Sequence, residues 1–220
     1  MSLPCRVEGG AAGVSGAVAA VEGGRIGRVQ RGVRLEAATD SGALSVGPAR
    51  VSAVEELVQR VDDQDRVLGP VVGRRQAIRE GWLHRVAVTV CRDERGRILV
   101  HRRAEHLSRF PGLHEVMVGG AVTVGESYEQ AAGRELAEEL GVRALPRLLF
   151  TFLNRGGQSP HWLGVHEAVV SDPLTADPDE VAWHDWLTEP ELRSALLEWH
   201  FTPDSHEAFG RYLAFRAARS

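Results

Sequence analysis

At 220 residues and a formal net charge of −4, the chain is long enough for one domain with extensions or two small domains, and its charge balance exerts no overall pull toward nucleic acid. Its 43% hydrophobic content supports a core, but the longest apolar runs, such as residues 86–91, fall far short of the ~18–20 residues of a membrane span. Two cysteines, Cys5 and Cys91, exclude a disulfide framework or a cysteine-built zinc site and fit a reduced cytoplasmic protein; the absence of lysine excludes a P-loop cation and a Schiff base.

Residues 1–50 are rich in Gly, Ala, Val and Ser and hold no aromatic residue. Such a segment buries too little surface to offset its ordering entropy, so it reads as a disordered or non-native extension. Ala19-Ala20 resembles a signal-peptide cleavage site, but no positive cluster precedes it. A domain over 51–220 follows. VSAVEELVQRV has the spacing of a short helix or turn, and RVLGPVVGRR suggests a hairpin around Gly69-Pro70. WLHRVAVTVCRD and RILVHRR read as strands joined by a turn at Asp93-Glu94-Arg95-Gly96. HEVMVGGAV reads as one strand, SYEQAAGRELAEEL as a helix, and RLLFTFL, HWLGVHEAVV and EVAWHDWL as three more strands. Thr188 with Glu191 forms a capping box, and Thr202-Pro203 opens a last helix ending near Tyr212 to Phe215. Strands mixed with a few helices indicate an α+β layered domain.

The chemistry concentrates in residues 120–142, GAVTVGESYEQAAGRELAEELGV. Ser127 and Gln130 form a capping box, and Gly141 stands where a left-handed glycine ends a helix. Glu135, Glu138 and Glu139, at i, i+3 and i+4, share an arc of about 100°. Ala132, Leu136 and Leu140 form the adjoining apolar stripe. Carboxylates so close repel one another, and Mg²⁺ or Mn²⁺, which prefers oxygen donors, would relieve the conflict. Arg134 can pair with Glu138, and Glu126 can add an oxygen near the same end. The competing reading is a plain solvated glutamate face.

The whole pattern decides between the two. Gly120, Glu126, Arg134, Glu135, Leu136, Glu138, Glu139, Gly141 and Val142 match every fixed position of the Nudix signature, and on these residues the chain resembles that family. The resemblance implies an α/β/α sandwich with a central mixed sheet. It implies Mg²⁺- or Mn²⁺-dependent hydrolysis of a nucleoside diphosphate derivative or related small-molecule diphosphate. By resemblance Glu135, Glu138 and Glu139 hold metal, Glu126 assists and Arg134 orients. Glu135, or a later-loop glutamate for which Glu180 is the candidate, takes the proton. A homodimer is a family expectation.

The chemistry behind this is that a diphosphate repels nucleophiles by its own charge, which bridging cations offset while acidifying a water. Arg102 and Arg103, at a strand end before the box, are candidates to grip phosphate, as are Arg74, Arg75 and Arg85. Trp162, Trp183 and Trp186 are candidates for base stacking or for core. The acidic run Asp62, Asp63, Asp65 lacks the pattern of a calcium loop and reads as surface.

Beyond the box, VDDQDRVLGPVVGRRQAIREGWLHRVAVTV, GRILVHRR and the FPG before the box resemble the isopentenyl-diphosphate isomerase-like branch. That raises proton transfer on an allylic diphosphate as an alternative. The isomerase Cys-x-His positions hold Gly119 and Ala121 here, and only His84 aligns with an isomerase metal histidine. A non-catalytic ligand sensor is a second alternative, against which the intact carboxylate set counts.

Overall fold

The computed structural model describes residues 55–170 and 173–219, so the expectation for residues 1–50 lies outside the described residues. β1 (Leu57–Val61) and β2 (Val67–Gly73) form an antiparallel pair, followed by the short helix α1 (Arg74–Arg79). This corrects two sequence readings. The helical spacing over VSAVEELVQRV is overridden by pairing with β2, which buries Val58 and Val61. The hairpin turns at the acidic run, where the Asp62 carboxylate accepts from the backbone N–H groups of Gln64 and Arg66, each at 2.9 Å. Gly69 and Pro70 lie inside β2, an edge position where a missing N–H is tolerated.

The main sheet contains β3 (Arg85–Arg92), β4 (Ile98–Arg103), β5 (His114–Glu115), β6 (Val118–Ala121), β7 (Arg147–Asn154), β8 (His161–Val169) and β9 (Val181–Leu187). The long-strand order is β4-β3-β8-β7, with β9 on the far side of β4. β3 and β8 are parallel and the other pairs antiparallel, so the sheet is mixed. β4 meets β3 only at Arg92↔Ile98, and β6 pairs with Val86 through Thr89 instead. HEVMVGGAV is thus two strands, β5 on β4 and β6 on β3.

Strand alternation builds the layers. Val86, Val88 and Val90 of β3 face a core that includes Leu192 of helix α3 (Glu189–Glu198) and Phe209 and Tyr212 of helix α4 (Pro203–Ala217). Ala87 and Cys91 face the opposite way, toward Ala132 and Leu136 of helix α2 (Tyr128–Leu140). The result is an α+β, α/β/α sandwich around a mixed sheet. The Thr188–Glu191 cap forms, with the Glu191 carboxylate accepting from the Thr188 N–H at 2.8 Å, and α4 runs two residues past Phe215. No described helix is long and apolar enough to cross a membrane.

Candidate active site

α2 is held at both ends. The Ser127 hydroxyl accepts from the Gln130 N–H at 3.2 Å, while the Gln130 side chain accepts from the Ser127 N–H at 2.8 Å. Gly141 takes φ 68°, and a Cβ there would sit 2.9 Å from the Thr175 carbonyl oxygen, so both the left-handed turn and the close approach call for glycine. At Gly120 a Cβ would fall 2.3 Å from Glu135 Oε1; the missing side chain leaves the space that the Glu135 carboxylate fills.

Arg134 organises the start of the site. Its guanidinium donates to Glu126 at 2.8 and 3.1 Å, to Glu135 at 2.7 Å, to Glu138 at 3.0 Å and to the Ala121 carbonyl at 2.9 Å. Glu126 also accepts from the Thr123 N–H at 2.9 Å. The Arg134 bonds hold the Glu126 carboxyl down at about 2, so it stays ionised. Glu126 does not line the cleft; its oxygens are spent on Arg134 and on the loop.

A cleft of about 560 Å³ opens over the other carboxylates. Glu135, Glu138 and Glu139 line it from α2, Glu115 from β5, and Asp177 and Glu180 from the loop before β9. Glu135 and Glu139 are buried, whereas Glu138 is exposed. Burial, then repulsion from Glu135, Glu115 and Glu180, drives the Glu139 carboxyl well above the ordinary carboxylate range. Glu139 has no hydrogen bond or ion pair from its side chain among the described residues. Burial raises Glu135 too, against the pull of Arg134, and raises Glu180 against the pull of Arg103. Carboxylates thus crowd one side of the cleft, with Glu135 and Glu115 paired to arginines and Glu139 buried without a partner among the described residues, a pattern that marks functional sites. Among the described residues no three acidic or histidine side chains enclose a common point as they stand, for Arg134 draws Glu135 and Glu138 to itself.

The NUDIX domain family model matches residues 82–208. This chain belongs to the Nudix hydrolase family. Over 171 residues it is 42% identical to an uncharacterized Nudix hydrolase of Streptomyces coelicolor, covering 76% of this chain and 94% of that one. An uncharacterized Nudix hydrolase of Pseudomonas aeruginosa is 34% identical over 169 residues, covering 74% of this chain and 97% of the relative. Among solved structures, DR0079 of Deinococcus radiodurans superposes with a TM-score of 0.62 at 29% identity, covering 71% of this chain and 98% of that one. Nudix hydrolases act on diphosphate-containing substrates and generally use divalent metal ions.

Three arginines considered for phosphate separate in space. Arg103 lines the cleft and donates to Glu115 at 3.0 Å and to the Arg109 carbonyl at 3.0 Å. Arg102 pairs with Glu105 at 2.8 Å, and Arg85 is tied to Asp65 at 2.6 Å beneath the Tyr128 ring; neither lines the cleft. Asp65 is therefore a strut between the hairpin and the sheet, and it also accepts from the Tyr128 hydroxyl at 3.0 Å. The three tryptophans do not line the cleft either; Trp162 Nε1 donates to the Asp62 carbonyl at 2.9 Å.

Sequence reasoning passed over Glu115, Asp177 and Arg109. Glu115 leaves a faint signal, a charge inside the apolar run HEVMV, while Asp177 and Arg109 lie in loops without pattern. Gly119 bears on the isomerase alternative. A Cβ there would lie 2.0 Å from the Ala87 carbonyl oxygen, inside the β3–β6 ladder, so the cysteine that chemistry needs has no room at this position.

Proposed function

We propose that this chain is a Mg²⁺- or Mn²⁺-dependent hydrolase of a nucleoside diphosphate derivative or related organic diphosphate, working in the cytoplasm. The observation that carries this reading is the buried pair Glu135 and Glu139, repelled by the half-buried Glu115 and Glu180 around the same cleft. The donor set fits a hard divalent cation: all oxygen, locally negative, with Glu139 lacking any other partner. Glu135, Glu138 and Glu139 would hold the cation. When bound, it neutralises diphosphate charge and acidifies a water.

The chain's own residues supply the rest. Arg134, anchored by Glu126 and the Ala121 carbonyl, sets the rotamers of Glu135 and Glu138, two of the residues that would hold the cation. Glu126 thus acts through Arg134 as a positioning residue. Arg103 reaches the cleft beside Glu115 and is the candidate to grip phosphate oxygen. Glu180, whose carboxyl burial raises above the ordinary carboxylate range, is the candidate to take the proton from the attacking water, with Glu135 as the alternative base.

The test is turnover of a panel of nucleoside-diphosphate and other organic diphosphates, following monophosphate or orthophosphate release. Turnover is expected with Mg²⁺ or Mn²⁺ and none in chelator. A folded wild type inert across the panel with either metal would refute the reading.

A further inference from the structure

The cleft has a second, oppositely charged wall. It is built from Arg74 at the start of α1, Arg109 in the loop after β4, and the start of α4. Arg109 is half-buried, yet its side chain makes no hydrogen bond or ion pair among the described residues, and its Nε is wholly enclosed without a partner. Arg74 spends Nη1 on Glu56 at 2.7 Å, but its Nε is likewise enclosed and unpartnered. The Arg74 and Arg109 guanidinium groups sit close enough to repel one another.

The acid weighing most on Arg109 is Asp204, which does not pair with it and instead accepts from the Asn154 amide at 2.9 Å. An ionised buried group left without a counter-charge is costly, and an arginine cannot escape by losing its proton at working pH. The loop carries a second mark of function. Phe110, beside Arg109 and also lining the cleft, is held at φ 47°, a left-handed conformation that costs a bulky residue about 1–2 kcal/mol.

Arg109 and Glu139 answer to largely different neighbours. The charges weighing most on Glu139 are Glu135, Glu115, Glu180 and Arg103, whereas those weighing most on Arg109 are Arg74, Asp204, Arg103 and Glu115. The Arg103–Glu115 ion pair is common to both sets. We infer that Arg74 and Arg109 form an oxyanion subsite that takes a phosphate or similar group at the far end of the substrate, away from the bond that is cut. The inference rests on the hydrolase reading for what the anion belongs to, but not for whether it binds. The substrate class is thereby narrowed to diphosphates whose far group is itself anionic.

The experiment uses the full chain in chelator, so that hydrolysis plays no part, with inorganic phosphate as the probe and calorimetry as the measurement. Wild type is expected to bind phosphate, Arg109→Met to lose about tenfold or more, and Arg109→Lys, which keeps the charge but not the fork, to fall between them. Glu139→Gln is expected to bind phosphate at least as well as wild type. Arg109→Met should also melt no lower than wild type, because it removes an uncompensated charge. With metal restored, Arg109→Met should raise KM with kcat held for a diphosphate ester carrying a phosphate on its far group, and leave KM unchanged for the same ester without it. Equal phosphate binding by wild type and Arg109→Met, no binding by wild type, or a lower melting temperature for Arg109→Met overturns the subsite. Inertness toward every diphosphate, with phosphate binding intact, overturns only the hydrolase reading.

Discussion

The two walls of the cleft carry opposite charge and were assembled in different ways. On the acidic wall, one helix supplies Glu135, Glu138 and Glu139 from five consecutive residues, and a single arginine organises them. On the basic wall, Arg74 and Arg109 come from separate segments 35 positions apart in the numbering, and nothing among the described residues pairs Arg109. Each wall also holds one charged group without a partner among the described residues, Glu139 on the first and Arg109 on the second. The acidic one can lower its cost by protonation, which is what the raised Glu139 carboxyl reports; the basic one cannot. Uncompensated charge of both signs facing one space teaches that the cleft is shaped for a ligand that brings a cation to one end and an anion to the other.

The sharpest way to break this comparison is Glu139→Gln. Removing one charge from the acidic wall should lower kcat about 10²–10³-fold in steady-state assays while raising the melting temperature, because the repulsion goes with it. Activity at the wild-type level would remove Glu139 from the metal set. Next, Gly119→Cys forces a Cβ against the Ala87 carbonyl and should cost at least about 3 kcal/mol in denaturant unfolding; a well-folded variant would reopen the isomerase geometry.

A somewhat smaller loss, about 2–3 kcal/mol, is expected for Arg134→Ala, which strands Glu126 and Glu135; Arg134 is partly solvated, so the full buried-pair cost does not apply.

The pH dependence of stability separates the histidines from the acids. Burial lowers His84 from 6.5 to about 4, so between those values the unfolded chain binds the extra proton. The stability from neutral His84 is complete above about pH 6.5 and is lost as pH falls toward 4, by a few kcal/mol. Glu135 and Glu139 work the other way: with folded values raised, their contribution is present in acid and lost as pH rises through those values. Mg²⁺ should therefore raise the melting temperature more at pH 8 than at pH 5, and Glu139→Gln should shrink that difference. An equal shift at both pH values would dissociate the cation from these acids. At the small end, Arg193→Ala breaks a solvated pair with Glu189 on α3 and should change stability by less than about 0.5 kcal/mol.

What was legible in the chain follows the range of the interactions involved. α2, its caps and its glutamate face could be read directly, because capping and i, i+4 contacts depend on neighbours within one helical turn. β3, β4, β7, β8 and β9 were legible from apolar patterning and turn residues. The β1–β2 hairpin was not, because VSAVEELVQRV satisfies a helical period and only pairing with β2 overrides it. Arg85 looked equivalent to Arg103 in sequence, but Asp65, 20 residues earlier, claims it.

By itself, the sequence determined the family, the layered fold class and the carboxylate helix, all of which rest on local spacing. Only the tertiary structure decided which charges share the cleft. It brought Glu115 and Glu180 to the helix, turned Glu126 away toward Arg134, chose Arg103 over Arg102 and Arg85, and placed Arg109 in the same cleft without a partner among the described residues. The physical reason is that burial and pairing of charge are sums over segments distant in the chain, and no short-range pattern encodes those sums.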